Sequence, residues 1–332
     1  MASLALYTVD AFVAHNKAFT GNPAAVCLVP PNLLLTPDQM QRVAQELNLS
    51  ETAFVQPLFR PDEQAFNDGK AEYQRALSFG LRWFTPTTEV RLCGHATLAA
   101  AHVLFAEREN PARRLMFETA SGTLTVCRAS DAQEHEIKLT LRLPRDQPHL
   151  LYSAKSPRTL TVPLAHPKLT VDKQQTLLQL ANAFTASATA KVQAIAYSPK
   201  FHNLVVEFDG TQKDLLQLKP TVDSQLLARG HDLKLTGVIA CCKPDAEDSE
   251  EYDAAVRYFA PWAGILEDPV TGSAYTGLAP YWSDQVGRNE HRFVQGGSRQ
   301  GVVSTRLSAS SEDIYVTGNT LTVIQGTLHY SP

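Results

Sequence analysis

No run of one charge sign interrupts this chain: 30 Lys and Arg stand against 34 Asp and Glu, for a formal net charge of -4. A surface built for nucleic acid or an anionic membrane needs a concentrated basic patch, so neither partner is expected. No uninterrupted apolar stretch approaches the roughly 20 residues of a membrane-spanning helix. The five cysteines, Cys27, Cys93, Cys127, Cys241 and Cys242, are odd in number and lack CxxC spacing, and the start at Met1 carries no basic-then-apolar leader. Reduced thiols in a cytoplasmic protein are the expectation. Absent too are GxxxxGK(S/T), GxGxxG and HExxH, and the ten histidines are scattered without ligand spacing. Neither a nucleotide cofactor nor a metal is inferred.

With 44% of its 332 residues hydrophobic, the chain can bury a substantial core, and its length suits two domains of ordinary size better than one. Leu4 to Phe12 alternates as a strand does, and Gly21-Asn22-Pro23 turns the chain into a second apolar strand, Ala24 to Val29. Thr36-Pro37-Asp38-Gln39 combines an N-cap residue, proline at the first helical position and an early acid. Met40, Val43, Ala44 and Leu47 then recur at helical spacing, which predicts a helix ending near Asn48. A short strand from Thr52 to Val55, a polar stretch to about Arg75 and a strand from Ala76 to Phe84 follow. After Cys93-Gly94, the apolar pattern through Leu104 predicts a buried helix. Strands near Leu115 to Val126 and Glu136 to Leu143 come next, then a proline-containing stretch from Pro144 to Pro167. A helix around Gln174 to Phe184 and strands at Val192 to Tyr197 and Asn203 to Phe208 complete the readable elements. The class is α/β of the α+β kind; so many short strands suit a simple doubly wound parallel sheet poorly.

An internal repeat organises these elements. Arg82-Trp83-Phe84-Thr85-Pro86 and Arg257-Tyr258-Phe259-Ala260-Pro261 carry Arg, aromatic, Phe, small residue and Pro in one order, about half a chain apart. Cys93-Gly94-His95-Ala96 follows the first copy and Thr271-Gly272-Ser273-Ala274 the second, each opening a small-residue segment. Two copies are too few for a solenoid but suit two duplicated domains facing one cleft. A lone glycine before a helix is explained by a tight turn. The paired occurrence of Gly94 and Gly272 points further, to two helix starts whose unpaired NH groups grip a carboxylate. The expected substrate is a small acid.

Among groups able to do chemistry, Glu51 sits between a helix end and an apolar strand, where burial would raise its pKa and make it a base near neutrality. The same place also suits a capping or surface glutamate. His95 stands at a helix start, either facing the cleft to shuttle a proton or packed as a satisfied core histidine. Asp268 and Ser273 suit an opposing carboxylate and a hydroxyl that holds substrate oxygens, though Asp-Pro is also turn chemistry. Asn22 orients either substrate or its own turn. Cys93 reads as packing, since a two-thiol mechanism finds Thr271 where its second cysteine should be.

Taken in series, Phe19 to Val26, Asn48 to Phe54, Arg82 to Pro86, Cys93 to Thr97 and Glu267 to Ala274 closely resemble the PhzF family of phenazine-biosynthesis-like proteins, and the closing segment Val323 to Leu328 also fits. The resemblance implies the diaminopimelate-epimerase-like fold: two pseudo-symmetric domains of mixed β-structure, each around a central helix. The corresponding division places one half at 1–120 and the other at 121–332, with the final strand able to return to the first. The resemblance also implies a cofactor-independent isomerase, with Glu51 as the proton-moving glutamate, the Gly-His pair on Gly94 and His95, and the second-half acid and serine on Asp268 and Ser273. Gly272 and Asn22 join as substrate-binding positions, and a homodimer is plausible for the family. Tyr275 departs from the histidine many relatives carry there, so substrate identity does not transfer. Against catalysis stands a second reading on the same fold: a silent metabolite-binding or regulatory protein.

Overall fold

The computed structural model describes residues 2–15, 17–59, 70–130, 136–155, 169–186, 188–297 and 299–330. Two units emerge: Met1–Leu143 with Tyr315–Pro332, and Pro144–Ile314. The polar stretch and the proline-containing stretch expected from the sequence lie partly outside the described residues, at 60–69 and 156–168.

In the first unit, β1 (Ala2–Val13) pairs antiparallel with β2 (Asn22–Leu28), whose inward residues are fully buried and explain its unbroken apolar run. Helix α1 (Pro37–Leu47) begins as its sequence dictates. Thr36 accepts from the Gln39 amide at 3.2 Å while Gln39 returns a bond to the Thr36 amide at 2.8 Å, a reciprocal cap. Its buried stripe of Met40, Val43 and Ala44 packs with Phe54, Phe84 and Leu4, and left-handed Asn48 ends it. Strand β3 (Glu51–Leu58) then runs parallel to β2, with Ala24 opposite Glu51.

After the short α2 (Ala71–Arg75), β4 (Ser78–Phe84) pairs antiparallel with β3 and carries the two-residue β5 (Glu89–Val90). Every residue of α3 (Gly94–His102) is buried, as expected of a helix apolar on all sides. It continues as a π-helical turn, Val103–Glu107. Strands β6 (Arg114–Thr119), β7 (Gly122–Arg128) and β8 (Ile137–Pro144) follow, β6 lying parallel to β4. The last strand of the chain, Asp313–Tyr330, pairs with both β8 and β1, so the sheet closes on itself.

The second unit holds β9 (His149–Ser153), α4 (Val171–Phe184), β10 (Lys191–Ser198), β11 (Asn203–Asp209), α5 (Gln212–Leu216), α6 (Ser224–Asp232), β12 (Gly237–Cys242), β13 (Ala254–Ala260) and β14 (Ile265–Asp268). A 3-10 turn, Gly272–Ala274, leads into α7 (Tyr275–Val286), followed by β15 (Glu290–Gln295) and β16 (Gly301–Leu307). Pro280 inside α7 cannot bond the carbonyl of Thr276. That oxygen accepts from the Asp146 amide at 3.0 Å instead.

The repeat reappears as topology. Pairings run antiparallel, parallel, antiparallel, parallel and antiparallel through β1, β2, β3, β4, β6 and β7, and in the same order through β10, β11, β12, β13, β15 and β16. The fold is thus the mixed α/β architecture of two similar units, each with its own buried helix. Residues 121–143 belong with the first unit, not the second. Hairpin β6–β7 is paired from Arg114 opposite Cys127 to Thr119 opposite Gly122, and β8 pairs with β7; separating them would strand a ladder of backbone hydrogen bonds.

Candidate active site

Three neighbouring turns build one cluster in the first unit. Gly21, at φ +71°, turns the chain where a Cβ would meet the Ala11 carbonyl at 2.3 Å, so only glycine delivers Asn22 to the start of β2. Ser50 and Glu51 follow the left-handed end of α1 as the chain enters β3. His95 is the second residue of α3, after Cys93 and Gly94.

Asn22, Glu51 and His95 are all buried, at 0%, 9% and 3% exposure. Imidazole Nδ1 of His95 lies 3.2 Å from the Asn22 amide nitrogen and 3.4 Å from Cys93 Sγ. Nε2 lies 3.1 Å from Glu51 Oε2 and 3.3 Å from Ser50 Oγ. Ser50 in turn donates to the Pro23 carbonyl at 3.2 Å. His95 and Glu51 thus form a close buried pair through Nε2 and Oε2.

Burial pushes the Glu51 carboxyl upward, but the charge and contacts of His95 and the hydroxyl of Ser50 outweigh it, and the net direction is down from 4.5. The rise expected from burial alone is therefore reversed by a neighbour the chain supplies 44 residues later. Burial works against a charged His95, while Cys93 and Glu51 favour one, and its pKa lies well above the usual 6.5. Burial and the nearby Glu51 charge raise the Cys93 thiol, so it stays protonated and Glu51 is the anion of the pair.

Glu51, Cys93 and His95 present ligand-type atoms within 4.8 Å of one another. The sulfur faces Nδ1 and the carboxylate Nε2, at 3.4 and 3.1 Å, so the two groups contact opposite nitrogens of one imidazole.

Asp268, Gly272 and Ser273 belong to the second unit. Tyr275 donates to Gln295 at 2.8 Å, Gln295 to Thr271 at 3.2 Å, and Thr271 to Asp268 Oδ2 at 2.5 Å, a directional relay ending on the carboxylate. Asp268 is buried, and the Ser273 carbonyl accepts from Thr276 Oγ1 at 2.7 Å. Gly272 opens a 3-10 turn, so α7 starts three residues later than the repeat alone suggests. Tyr275 is wholly buried and acts through Gln295.

Sequence reasoning missed Ser50 as a contact of His95, although it stands beside Glu51, and reduced Cys93 to packing although its sulfur touches the imidazole. Gln295 gave no signal; parallel pairing of β13 with β15 brings it in. A cavity of about 640 Å³ elsewhere in the first unit, walled by Val29, Leu35, Phe54 and the Arg82–Glu89 pair among others, includes none of the predicted site residues.

Two similar units of mixed sheet, each with a buried helix, define a protein of the epimerase-like α/β fold. A family model for phenazine biosynthesis-like proteins matches residues 9–326, and the chain belongs to that family. It is 36% identical over 327 residues to the human phenazine biosynthesis-like domain-containing protein, covering 98% of this chain and 99% of the other. To a protein of Halalkalibacterium halodurans called an uncharacterized isomerase it is 34% identical over 331 residues, 99% of each. A solved structure of a PhzF family protein from Enterococcus faecalis matches with TM-score 0.72 and 26% identity, over 99% of this chain and 100% of that one.

Proposed function

We propose that this chain is a cofactor-independent isomerase that moves a proton on a small carboxylate- or amine-bearing metabolite, with Glu51 as the general base. The carrying observation is the buried Glu51 carboxylate, whose Oε2 is paired at 3.1 Å with Nε2 of His95. A buried carboxylate held ionised by one imidazole is a positioned group that can take a proton from substrate. The isomerase name of the bacterial relative supports the reaction class.

In this reading Glu51 removes a proton from a carbon next to an activating group; the C–H pair moves into the adjoining π-system, and the protonated Glu51 returns the proton to another carbon. His95 steadies the ionised Glu51, and the Ser50 hydroxyl, 3.3 Å from Nε2, orients the imidazole. Gly94 leaves backbone NH groups at the start of α3 for a carboxylate. The family resemblance implies assisting and substrate-holding roles for Asp268, Gly272 and Ser273, which lie in the second unit.

A thermal-shift screen of small amino and hydroxy acids identifies a binder, which is then incubated with enzyme in deuterium oxide. Wild type incorporates deuterium at carbon; Glu51→Gln binds but slows incorporation by roughly 10² to 10⁴-fold, the usual range for losing a general base. Undiminished incorporation by folded Glu51→Gln removes Glu51 from the role.

A further inference from the structure

Arg82 and Arg257, the repeated arginines of the two copies, make the same contacts in the two units. Arg82 on β4 forks onto Glu89 of β5, Nε to Oε1 and Nη2 to Oε2, both at 2.8 Å. Arg257 on β13 forks onto Glu267 of β14 at 2.8 and 2.6 Å. Each guanidinium also covers the phenylalanine two residues on, 5.2 Å from the Phe84 ring centre and 4.7 Å from that of Phe259. Four residues beyond each glutamate stand Cys93 and Thr271, followed by Gly94-His95 and Gly272-Ser273.

Backbone pairing alone holds these return strands weakly. Strand β5 has two paired residues, and β14 has a register shift where it meets β13. A strand so short specifies its register poorly. A two-bond arginine fork, stacked on a ring, supplies the missing orientation in a way that a lysine or an ordinary surface ion pair does not.

We propose that Arg82 and Arg257 are positioning residues, one per unit, whose forks fix where the segments Cys93 to His95 and Asp268 to Ser273 come to rest. The first segment is also tied from outside, since Ser121 Oγ donates to the Arg91 carbonyl at 2.7 Å. The second clamp reaches further. Nη1 of the buried Arg257 donates to the carbonyls of Leu215 and Leu218 at 2.9 and 2.7 Å, joining β14 to the end of α5.

The clamps depend on the proton-transfer reading of Glu51 only for their effect on turnover; the positions are measured without substrate. NMR of histidine-labelled protein, with the resonance assigned through His95→Gln, gives the His95 titration. Arg82→Lys and Glu89→Gln each lower its pKa by about half a unit, roughly a threefold change in the protonation equilibrium. The exchanged pair, Arg82→Glu with Glu89→Arg, restores it, and Lys70→Ala, which removes the exposed Lys70–Glu109 pair, leaves it alone. Variants that melt earlier but titrate like wild type at His95 overturn the assignment for the first unit.

In the second unit, Arg257→Lys raises amide exchange across residues 265–274 by about tenfold over that across 290–307, a local opening. An equal rise across both segments, or none, overturns it there. If His95 shifts in the Arg82 variants while Glu51→Gln still exchanges deuterium, the clamp stands and the catalytic assignment falls. If Glu51→Gln is inert and His95 is unmoved, the reverse holds.

Discussion

Glu51 meets opposed influences: burial raises its pKa, and the charge of His95 with the hydroxyl of Ser50 lowers it further than burial lifts it. A base of this kind is fully ionised at neutral pH and gains its effect from position rather than from a raised pKa. Isomerisation is therefore expected to lose rate on the acid side only below the ordinary carboxylate value of 4.5, and on the alkaline side above the ordinary histidine value of 6.5, as His95 gives up its proton. A kcat/KM profile with an acid limb centred above 6 contradicts this. The stability of the pair follows the same window. The lowered Glu51 contributes above 4.5 and is lost as pH falls through its folded pKa; the raised His95 contributes fully below 6.5 and is lost as pH rises through its own. Gly21→Ala forces a Cβ against the Ala11 carbonyl at positive φ and is expected to cost about 1 to 3 kcal/mol in denaturant unfolding, with loss of the Asn22–His95 contact. Glu51 was readable as a candidate because it stands where a helix ends and a strand starts. The sign of its shift was not, because His95 comes from a different turn.

Helix α1 was legible from residues 36 to 48 alone, since cap, proline, stripe and stop are all local signals. Thr36→Ala removes its side-chain cap and is expected to destabilise the first unit by about 1 kcal/mol. Helix α3 was legible as buried, but not what fastens it. His102 places Nδ1 2.7 Å from Thr320 Oγ1 and Nε2 2.9 Å from Thr322 Oγ1, partners more than 200 residues away on the last strand. Burial, with Arg128 nearby, pushes His102 down to about 4. A histidine kept neutral in the fold opposes acid: stability is lost as pH falls from 6.5, where the unfolded chain takes up the proton, toward 4. The stability difference between wild type and His102→Gln is thus expected to shrink by about 3 kcal/mol over that interval in chemical denaturation; a difference independent of pH contradicts it.

At the scale of the whole chain, the repeated Arg-aromatic-Phe motif announced two copies of one design, and the matched strand pairings bear that out. The boundary was not legible, because strands 121–143 look like any others and only their pairing assigns them to the first unit. The last strand closes that unit's sheet between β8 and β1. Removing residues 315–332 is therefore expected to unfold the first unit, read as rapid proteolysis within residues 2–130, because it exposes two ladder edges at once.

The most direct measurement is the joint NMR titration of the Glu51 carboxyl and the His95 imidazole in the free protein. A buried ion pair predicts Glu51 titrating below 4.5, His95 above 6.5, and His95 moving down in Glu51→Gln. Glu51 protonating above 4.5 beside a His95 that titrates below 6.5 would contradict it, leaving burial in control and no charge pair at the base.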